Sequence, residues 1–135
     1  MSDPTEEDLE RLVAVAREAR ERAYAPYSEF SVGAAVLAGG RIFSGVNVEN
    51  ASYPQGICAE RAAVAAAVGA GERTIDAVAV VGSGEDVTPP CGGCRQVLYE
   101  FGPLMVVIAE SPGRKRKRWT LTELLPDAFG PKSLR

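Results

Sequence analysis

The chain contains no histidine among its 135 residues. That excludes every mechanism built on an imidazole base, the Ser-His-Asp and Cys-His arrangements included, and it excludes His-rich metal sites. Proton transfer near neutral pH must then fall to a carboxylate, a lysine, a tyrosine or a water on a metal. Cysteine is scarce and odd in number, at three, which argues against a structural disulfide framework. Long apolar runs are missing too: none approaches the roughly 18 residues that span a bilayer. The start, MSDPTEEDLERL, is acidic and amphipathic with no apolar core of a secretory signal. These absences lead us to expect a cytoplasmic location with reduced thiols and no membrane partner. Excess positive charge is also absent. The net charge is -3, so no nucleic-acid partner is expected.

What is present fits a globular core: 46% hydrophobic residues, 14 Gly and 9 Pro. The length predicts a single domain over 1–135. A helix is predicted from Thr5 to about Ala23, capped by Thr5 and apolar at Leu9, Leu12, Val13 and Ala16. SVGAAVLA and RIFSGVNV read as strands joined at Gly39-Gly40. ICAERAAVAAAVGA reads as a helix stopped by Gly69 or Gly71. DAVAVVG and LMVVIA read as buried strands flanking a helix CGGCRQVLYEF, and TLTELLPDAF as a short closing helix. Helices interleaved with strands predict an α/β fold: a three-layer α-β-α domain with one mixed sheet. Five consecutive charges, Arg114 to Arg118, read as a solvated turn or a charged edge strand rather than a nucleic-acid patch.

Both cysteine clusters fall at predicted helix starts, where free N–H groups and the dipole lower a thiol pKa. Brought together, Cys58, Cys91 and Cys94 would offer three thiolates. Three protein ligands with one open position describe a catalytic zinc rather than a structural one. Glu60, two residues past Cys58, would then be no ligand but a carboxylate placed to move protons, because zinc brings the pKa of a bound water to about 7. Three thiolates leave the zinc cluster net negative, and Arg61 or Arg95 could offset that charge. The plain alternative for the CxxC pair is a redox motif or inert thiols.

At these residues the chain resembles a family. Cys58-Ala59-Glu60 and Pro90-Cys91-Gly92-Gly93-Cys94 match the zinc deaminase signature in its three-cysteine form. Pro26-Tyr27-Ser28, Val32-Gly33-Ala34-Ala35, Asn47-Val48-Glu49-Asn50-Ala51, Cys94-Arg95-Gln96 and Glu123-Leu124-Leu125-Pro126 extend the likeness to the small cytidine deaminases. The resemblance implies one Zn²⁺ per subunit and hydrolytic deamination of cytidine and 2′-deoxycytidine in pyrimidine salvage. It implies Glu60 as proton shuttle, Asn47 and Glu49 on the ribose 3′-hydroxyl, Phe30 against the pyrimidine and backbone near Ala59 on the base. It further implies a homotetramer in which Tyr53 and Phe129 reach a neighbouring subunit's site. Without it, Asn47 and Glu49 would be ordinary strand-end polar residues, and Phe30 and Phe129 core aromatics. A blasticidin S-type deaminase, a polynucleotide deaminase and a non-catalytic zinc or redox protein are the alternatives.

Overall fold

The computed structural model describes residues 3–135. Helix α1 spans Glu6–Arg20 and opens with a reciprocal cap: the Asp8 N–H donates to Thr5 Oγ1 at 3.0 Å and the Thr5 N–H to Asp8 Oδ2 at 2.9 Å. It ends at Arg20, before the expected Ala23, because residues 21–23 close as turns onto Glu18, Ala19 and Arg20. Strands β1 (Val32–Ala38) and β2 (Arg41–Val46) form a hairpin. Its two turn residues, Gly39 and Gly40, have φ of 59° and 76°, the geometry that matches the twist of the flanking strands. Next come α2 (Ala59–Gly69), β3 (Ala77–Gly82), α3 (Gly92–Phe101), β4 (Val106–Glu110), β5 (Arg116–Thr120) and the one-turn α4 (Leu121–Leu124).

The sheet order is β2-β1-β3-β4-β5. Only β3 and β4 run parallel, and α3 is the crossover such a pair requires. Both faces are covered, as the near-continuous apolar runs of β1 and β3 demand. On one face, Leu9, Leu12, Val13 and Ala16 of α1 pack against Ala35, Leu37, Ala79 and Ile108. On the other, Ala59, Ala63 and Val64 of α2 and Leu98 of α3 pack against Ala34, Val36, Val80 and Val107. Alternation along each strand divides these sets, and the result is the expected three-layer α/β arrangement with a mixed sheet. Two glycines set the layer spacing. A Cβ on Gly33 would run into the α1 backbone, and one on Gly45 into that of α2.

Two strand boundaries differ from expectation. Leu104 is 79% exposed and β4 begins only at Val106. Strand β2 stops at Val46, and Val48 instead makes isolated bridges to Tyr24 and Ile57.

The charged run is split between the two forms expected of it: Arg114 and Lys115 lie in the loop before β5, and residues 116–118 on the edge strand itself. Arg116 stands opposite Glu110 and Arg118 opposite Ile108, on the α1 face. Glu110, 1% exposed, accepts from Arg17 Nε at 2.9 Å and Arg116 Nε at 2.8 Å. Arg116 also pairs with Glu10, and Arg118 with Glu6, so two acidic residues of α1 are tied to the basic strand. Among the described residues, no helix is long and apolar enough to cross a membrane.

Candidate metal centre

The three cysteines meet where α2 and α3 begin. Cys58 is the N-cap of α2 and Cys91 the N-cap of α3, both extended, while Cys94 lies in the first turn of α3. Sequence periodicity places Cys58 inside the helix; the structure sets it one residue before. The three sulfurs lie within 4.8 Å of one another. This donor set fits a thiophilic ion such as zinc: three soft ligands on two rigid helix starts, with no fourth Cys and no His in the chain to close the sphere.

The thiols are not uniformly acidified, as helix starts alone would predict. Burial pushes Cys58 and Cys94 up, and the nearby Glu60 carboxylate adds to it. Cys91 is also penalised by burial, but N–H groups at Cys94 and Gly93 and the Cys94 thiol outweigh this and hold it below the usual thiol value.

Glu60 is 5% exposed in the first turn of α2, and burial raises its carboxyl above the usual carboxylate range. It lies outside the three-sulfur group yet close enough to act electrostatically on all three thiols. Arg61 lies beside the cysteine cluster, and the Cys94 thiol raises the pKa of its guanidinium. Its guanidinium occupies the space that a Cβ at Gly93 would take. Arg95 is placed elsewhere: its Nε donates to Pro90 O at 2.8 Å and its Nη1 to Leu124 O at 2.9 Å. It braces the start of α3 against the end of α4, so of the two arginines Arg61 is the one placed beside the thiols.

The segment carrying Asn47 and Glu49 is drawn to this centre by backbone pairing. Val48 and Ile57 exchange N–H···O bonds of 3.0 Å, next to Cys58. Beside them is a pocket of ≈ 350 Å³ lined by Tyr27, Ser28, Glu49, Asn50, Tyr53 and Gly56. Tyr53 is 75% exposed, its ring 5.9 Å from that of Tyr27. Phe30 lies across Gly82 and Gly84, which have no side chains to displace it. Ala59 is fully buried. Phe129 is 59% exposed beyond α4, its carbonyl accepting from Gln96 Nε2 at 2.8 Å. Ser28, bonded to Glu49, stands in the sequence only as part of the Pro26-Tyr27-Ser28 likeness and is given no role there: a serine in a loop carries no periodicity or spacing to assign one.

The profile of the cytidine and deoxycytidylate deaminase zinc-binding region matches residues 6–110. The chain belongs to that family. Among its relatives, this deaminase-family chain is 45% identical over 130 residues to the cytidine deaminase of Sporosarcina psychrophila, covering 94% of this chain and 95% of that one. It is 46% identical over 124 residues to the cytidine deaminase of Mycobacterium tuberculosis strain H37Rv, covering 91% and 90%. The crystal structure of cytidine deaminase from Burkholderia pseudomallei superposes with a TM-score of 0.85 at 46% identity, covering 89% of this chain and 98% of that one. The fold is therefore that of the zinc deaminases, and the three cysteines form a group that could hold a metal ion.

Proposed function

We propose that the chain is a zinc-dependent hydrolase that converts cytidine and 2′-deoxycytidine to uridine and 2′-deoxyuridine with release of ammonia. The observation that carries this reading is the meeting of three cysteine sulfurs beside one buried carboxylate at two helix starts. Cys58, Cys91 and Cys94 would hold the zinc. When bound, it supplies a Lewis acid that makes water nucleophilic at neutral pH.

Glu60 handles the protons. It takes one from the attacking water, gives it to N3 of the ring, and then passes the second to the departing amine. The water oxygen stays on C4 as the uridine carbonyl; one of its hydrogens ends on N3 and the other on ammonia. Arg61 offsets the negative charge of the thiolates. Phe30 packs on the pyrimidine, backbone near Ala59 contacts the base, and Asn47 and Glu49 hold the 3′-hydroxyl. No residue is assigned to the 2′ position, which accounts for acceptance of both sugars. The chain acts in the cytoplasm as a homotetramer, with the exposed Tyr53 and Phe129 completing a neighbour's pocket.

The test is loss of cytidine absorbance with zinc-replete protein, with blasticidin S and a single-stranded oligonucleotide as competing substrates. The reading expects turnover of cytidine and deoxycytidine, abolished by chelation and restored by zinc. Absence of nucleoside turnover would overturn it.

A further inference from the structure

The loop from Ala25 to Ser31 carries Phe30 and touches both proposed sugar anchors. Glu49 Oε1 accepts from the N–H groups of Tyr27 at 2.9 Å and Ser28 at 3.1 Å, and Oε2 accepts from the Ser28 hydroxyl. The same hydroxyl oxygen accepts from the Phe30 N–H at 3.0 Å. On the far side, Asn47 Nδ2 donates to Phe30 O at 2.8 Å and Asn47 Oδ1 accepts from the Val32 N–H at 2.9 Å. Between Ser28 and Phe30, Glu29 has a φ of 58°, a left-handed conformation that a non-glycine residue keeps only where its surroundings impose it. A carboxylate offers about four acceptor sites. Three of those of Glu49 are taken from this loop, which leaves one, on the oxygen that Ser28 also holds.

We infer that Ser28 is a positioning residue: its hydroxyl aims the remaining acceptor site of Glu49 at the sugar and ties that aim to the backbone of Phe30. The inference rests on the reading of Glu49 as the anchor of the 3′-hydroxyl. Consistent with it, the Ser28 hydroxyl is the largest influence holding the Glu49 carboxyl below its usual value, so that Glu49 meets the sugar as an acceptor. Ser28 itself makes no contact with reacting atoms in this account.

The experiment compares cytidine with 3′-deoxycytidine, which lacks the group Glu49 would hold, in wild type, Ser28→Ala, Ser28→Thr and Glu49→Gln. Loss of one well-aimed hydrogen bond to a charged acceptor corresponds to roughly 10-fold or more. For Ser28→Ala, kcat/KM on cytidine is expected to fall about 10-fold, mostly through KM, because the sugar contact is alike in ground and transition states. On 3′-deoxycytidine the same substitution should cost less than about 3-fold, since the pair no longer interacts. Ser28→Thr, which keeps the hydroxyl, should restore discrimination. The dissociation constants of uridine and 3′-deoxyuridine should show the same split without turnover. Equal penalties on both substrates, or none, would overturn the positioning role while leaving Glu49 as anchor if Glu49→Gln costs cytidine more than 3′-deoxycytidine. If Glu49→Gln costs both substrates alike, the anchor reading falls and the inference with it.

Discussion

Replacing Arg116 by alanine tests what the basic run is for. The guanidinium bridges three elements: it donates from β5 to Glu110 of β4 at 2.8 Å and pairs with Glu10 of α1. Glu110 is almost wholly buried, so its bond to Arg116 is a charge-assisted bond shielded from water, while Arg116 itself is about one-third exposed at 32%. Loss of a hydrogen bond to a charged group costs ~1.5–3 kcal/mol. The outer pair with Glu10 adds at most about 1 kcal/mol, since both side chains remain in contact with solvent. Arg17 still holds Glu110 after the change, which keeps the carboxylate from being stranded. The expected destabilisation is therefore about 2 kcal/mol, a fall of roughly 6 °C in Tm for a chain of this size. The control is Lys117→Ala, on the opposite face of the strand, where the ammonium sits 5.7 Å above the Trp119 ring; it should cost under ~1 kcal/mol. Urea unfolding at one fixed protein concentration measures both, and cytidine turnover at 25 °C should stay within a few-fold of wild type in each. Equal losses for the two variants, or none for Arg116→Ala, would refute the bridging role. A large salt-dependent fall in turnover would instead return a polyanionic ligand to consideration.

Acid should act on the same seam. The Arg118 and Arg116 guanidinium groups hold the carboxyls of Glu6 and Glu10 below their ordinary value of 4.5. The unfolded chain then binds more protons than the native one in this range, so stability rises with pH. Their contribution is present above pH 4.5 and is lost as pH falls through the depressed values; the double variant Glu6→Gln with Glu10→Gln should show a shallower acid limb in unfolding titrations, and an unchanged limb would sink this reading. Arg61→Ala should lower turnover and move the rising limb of the pH–rate profile upward, because a positive charge is removed from the Cys94 sulfur; an unmoved profile would mean that Arg61 does not balance the cluster. If sites are shared between subunits, Phe129→Ala and Glu60→Ala, each inactive alone, should recover activity when refolded together; confirmed mixed oligomers without recovery would exclude sharing.

The layers were legible because burial writes itself into the strands. Six of the seven positions of β1, and all of β3, are buried, and the sequence shows them as unbroken apolar runs. The cysteine centre was legible because Cys58, Glu60, Cys91 and Cys94 are chemically rare and fixed in spacing by two helix starts. Helix and strand ends were read less well. Leu104 looks like strand but is exposed, and Arg20 ends α1 well before Pro26, since neither boundary depends on local sequence alone. Contacts between distant polar residues were not readable at all. Nothing in the chain joins Arg17 to Glu110, Arg95 to Leu124 or Ser28 to Glu49; only the register of β4 and β5 and the path of the Ala25–Ser31 loop bring those pairs together.

The most direct measurement is zinc content and cytidine turnover on the same preparation of Glu60→Ala. The account has Glu60 beside the metal ligands but outside the three-sulfur group. It predicts one zinc per chain, as in wild type, with turnover lower by at least ~10²-fold, the contribution expected of a proton-transferring side chain. Loss of the metal would make Glu60 a ligand, and substantial turnover in a zinc-replete variant would assign the protons to another group; either result would contradict the account.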